Sequence, residues 1–227
     1  MDRGLYIAAS GMLTEQLRQE QIANDLANAS TPGYKADRTA QQSFGQLLLA
    51  NSATGALVGE GGIGVRVSDI VTDFTPQPAR DTGEPLDFAI VGEGFFTVQT
   101  NRGIRYTRNG QFTVAPQGTL ATAQGNQVLG RNGQPIQVAG GRVDPAQIGI
   151  AMLRNPRKEG ENLVTGAPGA PGQAGQVRTG ALEGSGADAA RAMVDMIASM
   201  RAFEAGQRVL TTIDATLDKA ANRVGSL

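Results

Sequence analysis

Five large apolar residues near the end of the chain, Met196, Phe203, Leu210, Leu217 and Val224, stand seven positions apart. Between them Ser199, Gly206, Ile213 and Ala220 also repeat by seven, and each is small or apolar. Seven residues are close to two turns of α-helix, so both sets fall on one side of a single helix. The pattern predicts a helix over residues about 187–224. Its coiled-coil seam is Met196, Phe203, Leu210, Ile213, Leu217 and Val224. Ser185 or Asp188 can cap its start.

A second helix is expected over about 3–29, where Leu5, Ala9, Met12, Leu13, Ile22, Ala23 and Leu26 recur at three- and four-residue steps. Gln16 and Gln19 weaken that stripe. Ser30-Thr31-Pro32-Gly33 should end it, since the residue before proline avoids helical geometry and glycine turns freely. Each large apolar side chain contributes roughly 1.5–3 kcal/mol when fully buried. Ordering each backbone residue costs roughly 1–2 kcal/mol. A long C-terminal helix paired with one modest partner is therefore marginal, and neighbouring subunits are expected to cover its remaining apolar face.

Between the helices the pattern changes to that of strands. Gly64–Val71 alternates as a half-buried strand does. Asp87–Val91 and Phe95–Val98 flank Gly92-Glu93-Gly94, which reads as a tight turn. Asn109-Gly110, between Ile104–Arg108 and Gln111–Val114, reads as a type I′ hairpin turn. Asn132-Gly133 reads as the turn of a second hairpin, between Gln127–Leu129 and Ile136–Val138. Residues 160–186 are rich in Gly, Pro and Ala and read as an extended return linker. The resulting expectation is an α+β fold: long terminal helices packed as a coiled-coil base, with a β-rich central domain inserted between them. The boundaries are 1–35 with 187–227 for the helical domain, 36–80 for a linker and extended segment, 81–160 for the β-domain and 161–186 for the return linker.

Composition removes several functions. With His 0 and Cys 0, the chain has no general base for Ser-His-Asp or Cys-His catalysis and almost no zinc ligands. A formal net charge of −1 gives no field to attract nucleic acid. No cofactor is expected, and no membrane insertion, because no stretch approaches the roughly 20 apolar residues of a membrane span. The first residues carry no cleaved secretory signal. Gly59-Glu60-Gly61-Gly62-Ile63-Gly64 satisfies a dinucleotide pattern, but a strand follows it where a helix is required. Asp81, Glu84, Asp87 and Glu93 could act as paired acids on a glycoside, although the aromatic platforms of sugar sites are scarce with Trp 0 and Tyr 3. Asn28-Ala29-Ser30 fits a glycosylation sequon only incidentally. The Met193, Met196, Met200 stripe reads first as core, and second as an adaptable contact.

Ile22-Ala23-Asn24-Asp25-Leu26-Ala27-Asn28-Ala29-Ser30-Thr31-Pro32-Gly33-Tyr34-Lys35 resembles the N-terminal signature of the flagellar axial proteins, the rod and hook family. Asp25 replaces the family's usual second Asn. Leu86–Val98 and Tyr106–Phe112 resemble the family's central β-domain, and Gly180–Ser185 leading to Met193–Ile197 its C-terminal helix. Gly186-Ala187 departs from the usual Asn-Val. Within the family the proximal-rod type is favoured over the distal-rod type.

The resemblance implies a structural, non-enzymatic subunit of the flagellar basal-body rod. It would be exported by the flagellar type III apparatus, polymerise helically through its terminal helices with itself and with other rod and hook subunits, and transmit torque. It implies an assembly role for Asn24, Leu26, Asn28, Thr31, Pro32, Gly33 and Tyr34. The alternatives are another coiled-coil-anchored fibre or hook-junction protein, and a carbohydrate hydrolase using carboxylates.

Overall fold

The computed structural model describes residues 2–43, 46–50, 57–62, 64–169 and 175–224. They form two compact units: residues 1–26, 37–71 and 189–227 in the first, and 27–36 with 72–188 in the second.

The first unit holds the only two α-helices among the described residues, α1 (Asp2–Ala27) and α2 (Ala189–Val224). It also holds strands β1 (Asp37–Ser43), β2 (Gln46–Ala50), β3 (Leu57–Gly62) and β4 (Val65–Thr72). β1 pairs with β4, and β2 with β3. The glycine-rich dinucleotide pattern falls on β3 and is followed by β4; Ile63 within it lies outside the described residues. On α1, the Ser10 hydroxyl accepts from Val65 N at 3.4 Å and the Thr14 hydroxyl donates to Val65 O at 3.4 Å, which seats the start of β4.

The expected long coiled coil is corrected here. The helices touch at Gly4 beside Ile213, Met12 beside Gly206 and Glu15 beside Ser199, an antiparallel pairing. Two of those layers set a large apolar side chain, Ile213 or Met12, against a glycine, and the third sets a serine against a carboxylate, so large apolar side chains do not interlock from both helices there. α1 is 26 residues against 36 in α2, and its stripe is broken by polar Gln16 and Gln19, so α2's heptads have no matching heptads opposite. Much apolar surface stays uncovered: Leu13 and Leu17 on α1, and Met193, Val194, Ile197 and Met200 on α2, are all exposed. The layout is broadly α+β, two helices with a β-rich remainder.

The second unit contains β5 (Ala79–Asp81), β6 (Phe88–Val91), β7 (Phe95–Thr100), β8 (Gly103–Thr107), β9 (Phe112–Val114), β10 (Leu120–Thr122), β11 (Gln127–Val128), β12 (Ile150–Ala151), β13 (Leu153–Gly160), β14 (Leu163–Pro168), β15 (Gln176–Thr179) and β16 (Ala181–Glu183). Seven strands of the main sheet run in the order β13-β14-β8-β7-β11-β10-β9, with β12 added on β7. β15 pairs with β6 and β16 with β5. The stretch read from sequence as a return linker therefore contains β14, β15 and β16, and residues 170–174 within it lie outside the described residues.

The core is apolar and aromatic at its centre. Phe88, Ile90, Phe96, Val98, Phe112, Leu120, Val128 and Ile148 are buried together. Phe96 and Phe112 meet edge to face with centroids 5.3 Å apart, the arrangement their ring quadrupoles favour.

Two turn expectations divide. The Asn132-Gly133 hairpin forms, with Gly133 N bonded to Gly130 O at 2.9 Å and Gly133 at φ +74°. Asn109-Gly110 is not a hairpin turn: β8 pairs with β7 and β14, β9 pairs with β10, and neither Asn109 nor Gly110 has positive φ. Gly110 is required for a different reason. Its carbonyl accepts from Phe88 N at 3.0 Å, and a Cβ on it would lie 1.6 Å from Phe88 O. Gly92-Glu93-Gly94 bends the chain from β6 to β7, which lie in different sheets, with φ +110° and +120° at the two glycines.

Candidate functional site: the helix-exit motif and the helical seam

After α1 the chain makes a turn in which Thr31 N bonds to Asn28 O at 3.0 Å and the Thr31 hydroxyl to Asn28 Oδ1 at 3.2 Å. Gly33 follows at φ +66°. Its amide donates to Glu183 O at 3.0 Å, and Gly186 N donates to Tyr34 O at 2.8 Å, so the outgoing strand is laid against the returning one. Ser185 reinforces this: its hydroxyl donates to Asn28 O at 2.9 Å and accepts from Ala187 N at 3.1 Å. Tyr34 is 2% exposed, and the Lys158 ammonium sits 4.0 Å from its ring centroid while donating to Lys35 O at 2.9 Å.

Beneath this lies a buried ion triad that the sequence reading did not single out. Glu183 accepts from Lys35 Nζ at 2.6 Å and Gln77 N at 2.9 Å on one oxygen, and from Arg108 Nη1 at 3.0 Å on the other. The side chains are 1%, 3% and 2% exposed for Glu183, Lys35 and Arg108. Lys35 also donates to Thr75 O at 2.6 Å, and Arg108 Nη2 to Gly92 O at 2.8 Å. The Arg108 guanidinium lies 5.3 Å from the Phe95 ring, and its Nε is buried with no partner. Burial pulls the Lys35 amine below its ordinary value; Glu183 opposes the shift and Arg108 adds to it. The signal available was slight: Arg108 and Glu183 are each the single charge of a short motif, and Lys35 shares its motif only with Asp25.

The motif residues therefore differ in setting. Gly33 and Tyr34 are buried, while Leu26, Asn28, Thr31 and Pro32 are half-buried and Asn24 is exposed. On α2, Met196, Phe203, Leu210, Ile213 and Leu217 are half-buried on one face, and the side chain of Val224 lies outside the described residues. The same face carries Ser199, fully buried, whose hydroxyl donates to Glu15 Oε2 at 2.6 Å. Beside it a groove of about 550 Å³ runs between the helices, lined by Ala9, Met12, Leu13, Phe203 and Leu210 with Gln16, Gln207 and Thr211.

The candidate acids are dispersed in role. Asp81 is exposed and ion-paired with Arg178 at 2.7 Å, Glu84 and Glu93 are exposed, and Asp87 is buried. Among the described residues no cluster of acidic side chains could hold a metal ion. Among the described residues, likewise, no helix is long and apolar enough to cross a membrane.

The β-rich unit ties together the segments by which the chain enters and leaves it, and the helical pair has uncovered apolar faces, features that suit a structural subunit. Residues 5–35 match the family model for flagella basal body rod proteins, 89–152 the D1 domain of the flagellar hook protein FlgE/F/G, and 178–223 the flagellar basal body rod FlgEFG protein C-terminal. The flagellar basal-body rod protein FlgG of Bacillus subtilis is 33% identical, covering 98% of this chain and 99% of its own. FlgF of Caulobacter vibrioides is 30% identical, covering 100% of both. The chain belongs to the flagellar basal-body rod protein family and is a structural subunit of the basal body of the bacterial flagellum. Relatives named FlgF and FlgG match about equally, so they do not favour the proximal-rod type over the distal-rod type.

Proposed function

We propose that this subunit polymerises helically through α1 and α2, with copies of itself and with related rod and hook subunits, to form the shaft that carries torque. One observation carries the reading: apolar side chains on both helices, with the groove beside Leu13, remain open to solvent in the single chain. Exposed apolar surface of this kind marks an interaction site. Where this uncovered surface meets a different surface of a neighbouring copy, the contact is between unlike faces, and such contacts propagate into open filaments when the rotation does not close. Asn24 and Leu26, near the end of α1, are assigned to this assembly role as well, and Asn28, Thr31, Pro32, Gly33 and Tyr34 are assigned one within the second unit. The chain reaches its place through the flagellar type III export apparatus. Its role is mechanical, without catalysis.

The test is to place charge on the open face. Ile197→Glu with Met200→Glu should leave the isolated chain folded, since both side chains are half in water already. It should abolish concentration-dependent association in sedimentation velocity and incorporation into basal bodies. Normal incorporation of this variant would refute the reading.

A further inference from the structure

Four times the chain passes between its two units, after residues 26, 36, 71 and 188. On the second unit, all four passages are stitched together within a few residues of where they leave it. Asn28 O accepts from Ser185 Oγ at 2.9 Å, Ala36 O accepts from Asp73 N at 2.9 Å, and Tyr34 O accepts from Gly186 N at 2.8 Å. Lys35 Nζ spans to Thr75 O at 2.6 Å, and Glu183 binds Lys35, Gln77 and Arg108 at once. Arg108 in turn is anchored to the carbonyls of Ile90 and Gly92, on β6 and just after it.

We propose that the Lys35–Glu183–Arg108 triad is a mechanical clamp, with Glu183 as its positioning residue. It makes the four passages one anchor, so that force running along the chain between the units is shared by all of them. Four strands leaving a domain separately would be pulled off one at a time. Strands cross-tied by charged hydrogen bonds must be broken together. Burial matters because water cannot compete for these bonds during extension, and the interior strengthens each of them. The clamp rests on the rod reading for its purpose, but its geometry belongs to the single chain.

The experiment uses the full-length chain with Glu183→Gln and, separately, Lys35→Met. The second variant leaves a balanced Glu183–Arg108 pair and preserves folding. Amide exchange is read at Gly33, Asp73 and Gly186, with Phe96 and Val98 in the core as references. In cells, basal bodies are counted by electron microscopy and swimming is followed as medium viscosity rises. Lys35→Met should lower protection at the three amides by roughly tenfold or more, with the core amides unchanged. Its cells should assemble basal bodies and swim in dilute medium, yet fail at viscosities the parent tolerates. Unchanged protection at the three amides would overturn the clamp, as would a swimming defect equal at every viscosity. If the unaltered chain never enters basal bodies, the rod reading fails, and the exchange result still judges the clamp.

Discussion

Gly33 and Arg108 approach so closely that residue 33 has no room for a side chain: a Cβ there would lie 2.3 Å from the Arg108 carbonyl carbon and 2.4 Å from its oxygen. The contact brings the motif at the end of α1 against the residue that supplies the triad's guanidinium. Two requirements coincide at this glycine, a left-handed backbone at φ +66° and a backbone-to-backbone approach.

Gly33→Ala is therefore expected to destabilise the β-rich unit by more than the roughly 1–2 kcal/mol of a left-handed alanine alone. Gly125→Ala is the control, because Gly125 has φ +85° but nothing within 4 Å of an added Cβ. Urea unfolding of both variants separates overlap from backbone strain. Equal losses would show that the approach to Arg108 costs nothing.

Glu183→Gln should cost about 3–5 kcal/mol, because it leaves two buried cations without their shared anion. Lys35→Met should cost less, since it leaves one buried pair in balance. A larger loss for Lys35→Met in denaturant titration would reverse this order.

The Lys35 amine also predicts a pH signature. Its folded-state pKa lies below the ordinary 10.5, chiefly through burial. Between those two values the unfolded chain holds a proton that the folded chain has released, so stability rises with pH across that alkaline window. The term is unfavourable below the folded pKa and gone above 10.5. Lys35→Met should remove the rise. A constant difference between the two proteins across the window would exclude it.

At the helical seam, Ser199→Ala should cost about 1 kcal/mol, the net worth of its bond to Glu15 less a small gain in helix propensity. Ser199→Leu should cost more, because the side chain is fully buried beside α1. Circular dichroism melts of the two variants decide it; a neutral leucine would mean the helices can part freely.

Periodicity made the two helices legible, since an apolar stripe at helical spacing is a property of one segment. It also led too far: seven-residue spacing in α2 suggested a coiled coil, but such a structure needs a second helix with the same spacing, and α1 presents Gln16, Gln19 and a buried Thr14 instead. Asn109-Gly110 failed for a similar reason. Its local chemistry suits a hairpin, yet which strands pair is decided by distant partners, here Phe88 against Gly110 and Leu163 against Thr107. Asn132-Gly133 succeeded because its flanking segments are each other's partners.

The sequence by itself determined the helical ends, the β-rich middle and, through the Asn24–Lys35 signature, the family. Only the tertiary structure decided that Lys35, Arg108 and Glu183 share one buried site and that the apolar faces of α1 and α2 stay open. Charges separated by 73 and 75 positions carry no mark of one another in a linear pattern, and a buried ion is tolerable only once folding has delivered its counter-ion.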